Sequence, residues 1–386
     1  MPTTTMMDGG KTEAPAESRQ KGSTQALTGL YNALLEKGRV QWTTYHRFEK
    51  ELGRGGQGTV YLSQRKGADG FNQPVAMKVF SPEHFPNMLT YEKNMVRIAH
   101  VASRIATIQH DNLLNVQDFV DQNRIRIMVM EWIDGFDLRQ LLNLERLQLV
   151  KAIAKPRRWE YIEQVVATFG PKQTRVKAGV AVAIARDCLA ALAALHREGI
   201  VHSDIKPANI MLKKTGHTKL IDMGSAFELA DPPEKRACTP TYAAPEVLEG
   251  AHCTEQSDLA SLGYVLVEML AGKPCFQMDL NYQELLTAKR SLPQRLKQLL
   301  PPEVACNSHL VNLCKKLIAT DPAKRFTTAE AAEFREGGAA EFHRQLVFGD
   351  LASEYENDIR VLLEEVCRID DQDLANDPTQ TWSTNL

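Results

Sequence analysis

The chain of 386 residues carries a formal net charge of -2, with 24% charged and 43% hydrophobic residues, a balance that suits one large two-lobed unit or two small domains with substantial cores. It excludes bulk electrostatic attraction to nucleic acid or to an anionic membrane. The seven cysteines are scattered without a C-x-x-C pair or a Cys/His spacing suited to zinc, so a reducing compartment is the simple reading. No uninterrupted apolar run of about 18 residues stands out and the N-terminus lacks an apolar signal core, which sets a cytoplasmic location as the expectation.

Residues 1–25 are mostly Thr, Ser, Gly, Lys, Glu and Ala without hydrophobic period, the composition of a disordered tail. Leu27, Leu30, Tyr31, Leu34 and Leu35 then fall at helical spacing, so residues 26–47 read as an amphipathic helical lead-in. Gly53, Gly55 and Gly58 follow with G-x-G-x-x-G spacing, ahead of Thr59-Val60-Tyr61. Such glycines let backbone N–H groups close over phosphates, and the β-branched and aromatic residues after them favour a hairpin over the helix that a dinucleotide fingerprint would open. Val75-Ala76-Met77-Lys78-Val79 alternates as a strand, and Tyr91 to Ile108 carries Met95, Ile98, Ala102 and Ile105 on a helical stripe.

Met128-Val129-Met130 continues as an apolar strand that ends in Glu131-Trp132-Ile133, and Asp137 sits where a helix N-terminal acid would. Residues from about 143 to 175 read as an insertion, with Lys151, Lys155, Arg157, Arg158, Lys172 and Arg175 around Trp159 and Tyr161. A solvated helical face is the preferred reading of that run, ahead of a surface for nucleic acid or an acidic partner. An Ala/Leu-rich core helix from Val180 to Glu198 then delivers His202-Ser203-Asp204-Ile205-Lys206-Pro207-Ala208-Asn209. An Asp that accepts a hydroxyl proton, a Lys that neutralises phosphate and an Asn that holds a metal are the parts in-line phosphoryl transfer needs. Asp222-Met223-Gly224 adds a second carboxylate, and Thr239-Pro240-Thr241-Tyr242-Ala243-Ala244-Pro245-Glu246 follows. Amphipathic helices run to about Phe348, and residues 336–386 form an acidic helical or disordered tail with an apolar patch at Ile359, Leu362, Leu363 and Val366. A passive solvated tail is the preferred reading there, over docking onto the basic insertion.

In this order the motifs resemble those of eukaryotic-like serine/threonine protein kinases, bacterial members among them, over about Phe48 to Arg335. Ser203 stands where H-R-D has Arg, Met223 where D-F-G has Phe, and Cys238 where G-T-x-x-Y-x-A-P-E has Gly. The resemblance implies an α+β, two-lobed protein-kinase-like fold at 48–335, with a small β-rich N-lobe at 48–133 and a larger helical C-lobe at 134–335. It implies transfer of the ATP γ-phosphoryl group to Ser/Thr hydroxyls of protein substrates, since a Lys two residues after the Asp fits Ser/Thr-directed members. By the same resemblance Leu52, Gly53, Gly55, Gly58, Val60, Ala76 and Lys78 would enclose ATP. Met130 would be the gatekeeper, Glu131 and Ile133 the hinge, and Asp137 a ribose neighbour. Asn209 and Asp222 would hold Mg²⁺, or Mn²⁺, while Asp204 takes the proton, Lys206 screens charge and Thr239 shapes the hydroxyl site. Asp258 would brace the loop and Glu246 would pair with Arg325. Partners would be protein substrates, with an acidic partner or the chain's own C-terminal tail at the basic insertion, and neither nucleic acid nor membrane. The family also places a Glu near Val101 to orient Lys78, whereas the only acid in the segment is Glu92, nine residues earlier and therefore on the opposite helical face. That departure keeps a nucleotide-binding pseudokinase scaffold as the rival reading.

Overall fold

The computed structural model describes residues 32, 33, 36, 45–83, 85–234, 238–277, 279–348 and 354–376. The expected disordered tail at 1–25, most of the lead-in at 26–47 and residues 349–353 and 377–386 of the acidic tail lie outside the described residues. Two units separate, residues 1–47 with 65–73 and residues 48–64 with 74–386. In the described part of the smaller unit, a 3-10 turn at Ala68–Gly70 carries Asp69 and Gly70 at φ of 53° and 80°.

Five strands form the N-lobe sheet in the order β1-β2-β3-β5-β4: β1 (Tyr45–Gly55), β2 (Gly58–Lys66), β3 (Asn72–Phe80), β4 (Val116–Gln122) and β5 (Ile125–Glu131). The β1–β2 hairpin turns at Gly56-Gln57, and Gly58 is obligatory there: its φ is 143° and an added Cβ would lie 2.0 Å from the Val79 carbonyl oxygen. In β3 the period-2 pleat puts Val75 and Met77 in a small cluster with Val129. Ala76, Lys78 and Phe80 fall on the opposite face, where Ala76 pairs across to Met130 and Lys78 to Met128. Helix α1 (Met88–Thr107) starts at Asn87, whose Oδ1 accepts the Thr90 N–H at 2.9 Å. Its buried stripe is Tyr91, Met95, Ile98, Val101, Ala102 and Ile105.

The C-lobe opens with β6 (Gly135–Asp137) and α2 (Leu138–Leu141), followed by α3 (Leu144–Ile153) and α4 (Pro156–Tyr161). After a π-helical turn at Ile162–Val166 comes the ribbon of β7 (Ala167–Phe169) and β8 (Thr174–Val176). Helix α5 (Ala178–Arg197) is long and apolar enough to cross a membrane, which the sequence reading did not anticipate. Thirteen of its residues are buried in the lobe, as in a core helix. It leads to β9 (Ile200–Val201), which pairs with β12 (Phe227–Glu228), while β10 (Ile210–Lys213) lies between β11 (Thr218–Leu220) and β6. The remaining helices are α6 (Pro245–Leu248), α7 (Glu255–Ala271), α8 (Tyr282–Leu299), α9 (Pro302–Ala305), α10 (Ser308–Leu317), α11 (Ala329–Phe334), α12 (Ala339–Phe348) and α13 (Tyr355–Asn376).

One surface reading holds in part and one is corrected. At 143–175 Lys151, Lys155, Arg157 and Lys172 are exposed, as a solvated face requires, while Arg158 and Arg175 are half-buried and the apolar Leu147, Val150, Ile162 and Val166 are buried. The helix α13 is not a passive tail: Ile359, Leu362, Leu363, Val366 and Ile369 are buried on one helical face. Its acids meet the basic segment, with Arg146 to Asp370 at 2.7 Å, Arg158 paired to both Glu364 and Glu365, and Tyr161 hydrogen-bonded to Asp358.

The expected Glu246–Arg325 pair is present as a two-pronged contact, both prongs at 2.7 Å, with the Arg325 side chain fully buried. Removing one partner of a buried pair leaves an uncompensated charge, so Arg325→Ala is expected to lower unfolding free energy by about 3–5 kcal/mol. Urea denaturation of the two proteins measures this, and a loss below about 1 kcal/mol would contradict it.

Candidate active site

The loop after β9 hangs on one buried carboxylate. Asp258, in the first turn of α7 and fully buried, accepts the His202 N–H at 2.8 Å on Oδ2 and the Ser203 N–H at 2.9 Å on Oδ1, with His196 Nε2 3.0 Å from Oδ2. These bonds hold Ser203 at φ 68°, a left-handed conformation that turns the chain sharply before Asp204. His202 fixes the other side of the turn, its Nε2 3.0 Å from the Ile221 carbonyl oxygen and its Nδ1 accepting the Asp204 N–H at 3.3 Å.

Three side chains then converge on the Asp204 carboxylate. Thr239 Oγ1 donates to Oδ1 at 2.7 Å, Lys206 Nζ to Oδ2 at 2.6 Å, and Asn209 Nδ2 to Oδ2 at 3.1 Å and to the Asp204 carbonyl at 2.8 Å. Every partner is a donor, so the group is held as an acceptor able to take a proton from an incoming hydroxyl. Lys206 also reaches Thr239 Oγ1 at 3.0 Å, which ties the loop to the segment after residue 238.

Across the cleft, Lys78 Nζ donates to Asp222 Oδ1 at 2.5 Å and to Gln57 Oε1 at 2.7 Å. Asp222 is left-handed at φ 61° and also accepts the Gly224 N–H at 3.3 Å. Burial alone would raise its carboxyl, yet the Lys78 charge and hydrogen bond hold it below the usual carboxylate range. Asn209 turns its amide nitrogen to Asp204, which directs its oxygen away, and Asp222 Oδ2 has no protein donor among the described residues. A carboxylate oxygen and an amide oxygen are the hard donor set that fits Mg²⁺.

The nucleotide-facing predictions separate into two groups. Ala76, Met130 and Ile133 are buried beside Lys78's strand pair, and the Ile133 N–H has no protein acceptor among the described residues. Leu52, Gly53 and Gly55 lie exposed in the hairpin, with Gly58 buried and Val60 partly buried. Two carboxylates have their side chains engaged by the protein itself, Asp137 as the helix N-terminal acid that the sequence reading named. Glu131 accepts the Asn115 N–H at 2.8 Å and Lys219 Nζ at 2.6 Å, and Asp137 caps α2 by accepting the Gln140 N–H at 2.9 Å. A cavity of about 560 Å³ elsewhere, between α5, α11 and the start of α13, contains none of these residues.

Residues 46–335 match the protein kinase domain family. The chain belongs to that family. The kinase domain is 34% identical over 245 residues to the serine/threonine-protein kinase PkaA of Streptomyces coelicolor, covering 59% of this chain and 39% of PkaA. It is 30% identical over 285 residues to the serine/threonine-protein kinase PknD of Mycobacterium tuberculosis, covering 72% and 37%. The probable serine/threonine-protein kinase PknB of Lactococcus lactis is 27% identical over 292 residues, covering 74% and 40%. The chain therefore spans about two fifths of the length of these relatives.

For a kinase domain the treatment of Lys78 is unusual. No α1 carboxylate reaches it, because Val101 is buried in the core stripe and Glu92 pairs outward with Arg124 at 2.7 Å. Gln57, a residue the sequence reading passed over as the turn of the glycine hairpin, takes up the second position instead, and its Nε2 also donates to Ser225 Oγ at 3.2 Å. Also missed was Lys289 on α8. It is fully buried, donates to the Thr241 carbonyl at 2.6 Å and lies 4.2 Å from the ring centres of both Tyr264 and Phe276. Its only sequence signal was a charged residue on the apolar side of a helix.

Burial pushes the Lys289 ammonium down to about 7 from its ordinary 10.5. Between those values the unfolded chain binds more protons at this site than the folded one, so stability rises with pH across that window. Lys289→Met removes this contribution. In urea titrations at pH 7, 8 and 9 the stability of wild type relative to Lys289→Met is expected to climb with pH, and a flat difference would contradict the shift.

Proposed function

We propose that this kinase domain is an active serine/threonine protein kinase that transfers the ATP γ-phosphoryl group to hydroxyls of protein substrates. One observation carries the reading: Asp204 is held by Lys206, Asn209 and Thr239 as an acceptor, in a loop braced by Asp258. In this reading Lys78 and the glycine hairpin hold the nucleotide phosphates, and Met130, Glu131 and Ile133 border the adenine. Asp204 orients the substrate hydroxyl and takes its proton, Lys206 screens negative charge, and Thr239 fixes the carboxylate rotamer. Mg²⁺ would sit at Asn209 and Asp222 and would supply neutralisation of the phosphate charge. Because the transition state of such transfers is loose, these side chains work by position and field.

The scaffold alternative rested on the missing helix Glu, and the Asp222 and Gln57 contacts of Lys78 weigh against it. The nucleic-acid reading of the insertion is weakened because Arg146 and Arg158 already face α13 acids. In this reading the kinase domain works in signalling on the cytoplasmic side, where ATP is available, with α5 as a helix of its core.

Transfer of labelled γ-phosphate from Mg-ATP to a generic basic protein tests the assignment. Asp204→Ala is expected to lower kcat by about 10²–10⁴-fold, and Lys78→Met to abolish measurable transfer. Equal rates in wild type and both variants would refute it. With Ser203 in place of Arg, activity is also expected to be independent of phosphate on the activation segment. Phosphatase-treated protein should keep its first-minute rate, and a loss of more than about fivefold would overturn that expectation.

A further inference from the structure

Three basic residues of α1, Arg97, His100 and Arg104, recur at helical spacing on one face, and the last two each meet an acid. Arg104 Nη1 lies 3.0 Å from Glu228 Oε1, and its Nη2 donates to the Glu198 carbonyl at 2.7 Å and to Glu198 Oε2 at 3.2 Å. His100 Nδ1 is 3.1 Å from the same Glu228 oxygen. Arg97 is lowered by burial and partly restored by the charge of Asp231.

The acids occupy particular places in the chain. Glu228 lies in β12, six residues after Asp222, and stands opposite Ile200 in the β9–β12 pair. Glu198 lies two residues before β9, and β9 runs into His202. Arg104 thus joins the C-terminal turn of α1 to both chain segments that leave for the active site, one towards Asp204 and one back to Asp222. The Glu228 side chain is only 18% exposed, so its ion pair is screened less than a surface pair.

We propose that the Arg104–Glu228 pair is the element that positions α1 for catalysis, in place of the ion pair between Lys78 and a helix Glu that this chain lacks. The proposal rests on the kinase reading above. Its physical basis is that α1 has no carboxylate to offer the cleft, so the helix is registered against the Asp222 segment from its C-terminal end. Glu228 is encoded in the sequence and needs no phosphate to become an anion. Arg104 and Glu228 are therefore positioning residues that touch neither nucleotide nor substrate.

Charge reversal tests this. Arg104→Glu and Glu228→Arg are each expected to lower kcat at saturating ATP by about tenfold, the equivalent of about 1.4 kcal/mol, and to speed amide hydrogen exchange in α1. The double variant is expected to recover to within about fivefold of wild type in rate and to regain slow exchange, as coupled partners do in a double-mutant cycle. Singles that match wild type in both exchange and rate, or a double no better than its worse single, would overturn the pairing. The exchange readout is independent of catalysis. A wild type that transfers no phosphate would refute the kinase reading while exchange in the four proteins still decides on the pair.

Discussion

A carboxylate buried without compensation is among the costliest groups a lobe can contain, and Asp258 is fully buried at the start of α7. It is tolerated because it accepts two backbone N–H groups of the loop and faces His196. The dependence runs both ways. Asp258 needs those donors to offset the cost of its burial, and the loop needs Asp258 to hold Ser203 left-handed, where a side-chain-bearing residue is strained by of order 1–3 kcal/mol. That strained turn is what presents Asp204 to Thr239, Lys206 and Asn209 together. Below it, the Arg325–Glu246 pair fixes α6 and, through Ser257 Oγ donating to Glu246 at 2.8 Å, fixes the first turn of α7 as well. The reactive loop thus rests on a second charged contact two layers beneath it.

Much of this was legible because the relevant spacings are short. A G-x-G-x-x-G turn, an alternating strand around Lys78 and an Asp-x-Lys-x-x-Asn loop each lie within one element or one turn, where geometry follows from sequence distance. The phase argument on α1 is of the same kind. It placed Glu92 away from the cleft, and Glu92 faces Arg124. What sequence could not convey were the partners chosen across the fold. Gln57 meets Ser225, 168 residues away, and Arg146 meets Asp370, 224 residues away. Arg146 and Arg158 could not be told from their exposed neighbours Lys155 and Arg157 because their counter-charges lie at the far end of the chain, and an ordinary composition gives no sign of which charges will meet.

Lys289 shows a different limit. A lysine between apolar positions of an amphipathic helix is read as lying at the edge of the stripe, with its ammonium reaching water. Here two aromatic faces and the Thr241 carbonyl replace that water. The replacement depends on Tyr264 and Phe276 stacking edge to face at 5.3 Å, a tertiary arrangement invisible to helical periodicity. The result is a rigid support under the backbone two residues beyond Thr239.

The same backbone is braced from the opposite side. Tyr242 OH donates to Glu268 at 2.7 Å, and burial raises the Glu268 carboxyl while the Tyr242 bond and one to Gln173 oppose that rise. Gln173 belongs to the β7–β8 ribbon, whose Lys172 and Gln173 N–H groups donate to the Gly272 carbonyl at 3.1 and 2.8 Å. Gly272 ends α7 at φ 63° and lies so close to Gly170 that a Cβ on either would collide with the other's backbone. The 170–173 turn is therefore joined by backbone bonds to the helix whose first turn carries Asp258. The other end of the 143–175 segment is held by the acids of α13. Residues 143–175 are in this sense packed between two helices, tied at the 170–173 turn to the end of α7 and at Arg146 and Arg158 to α13.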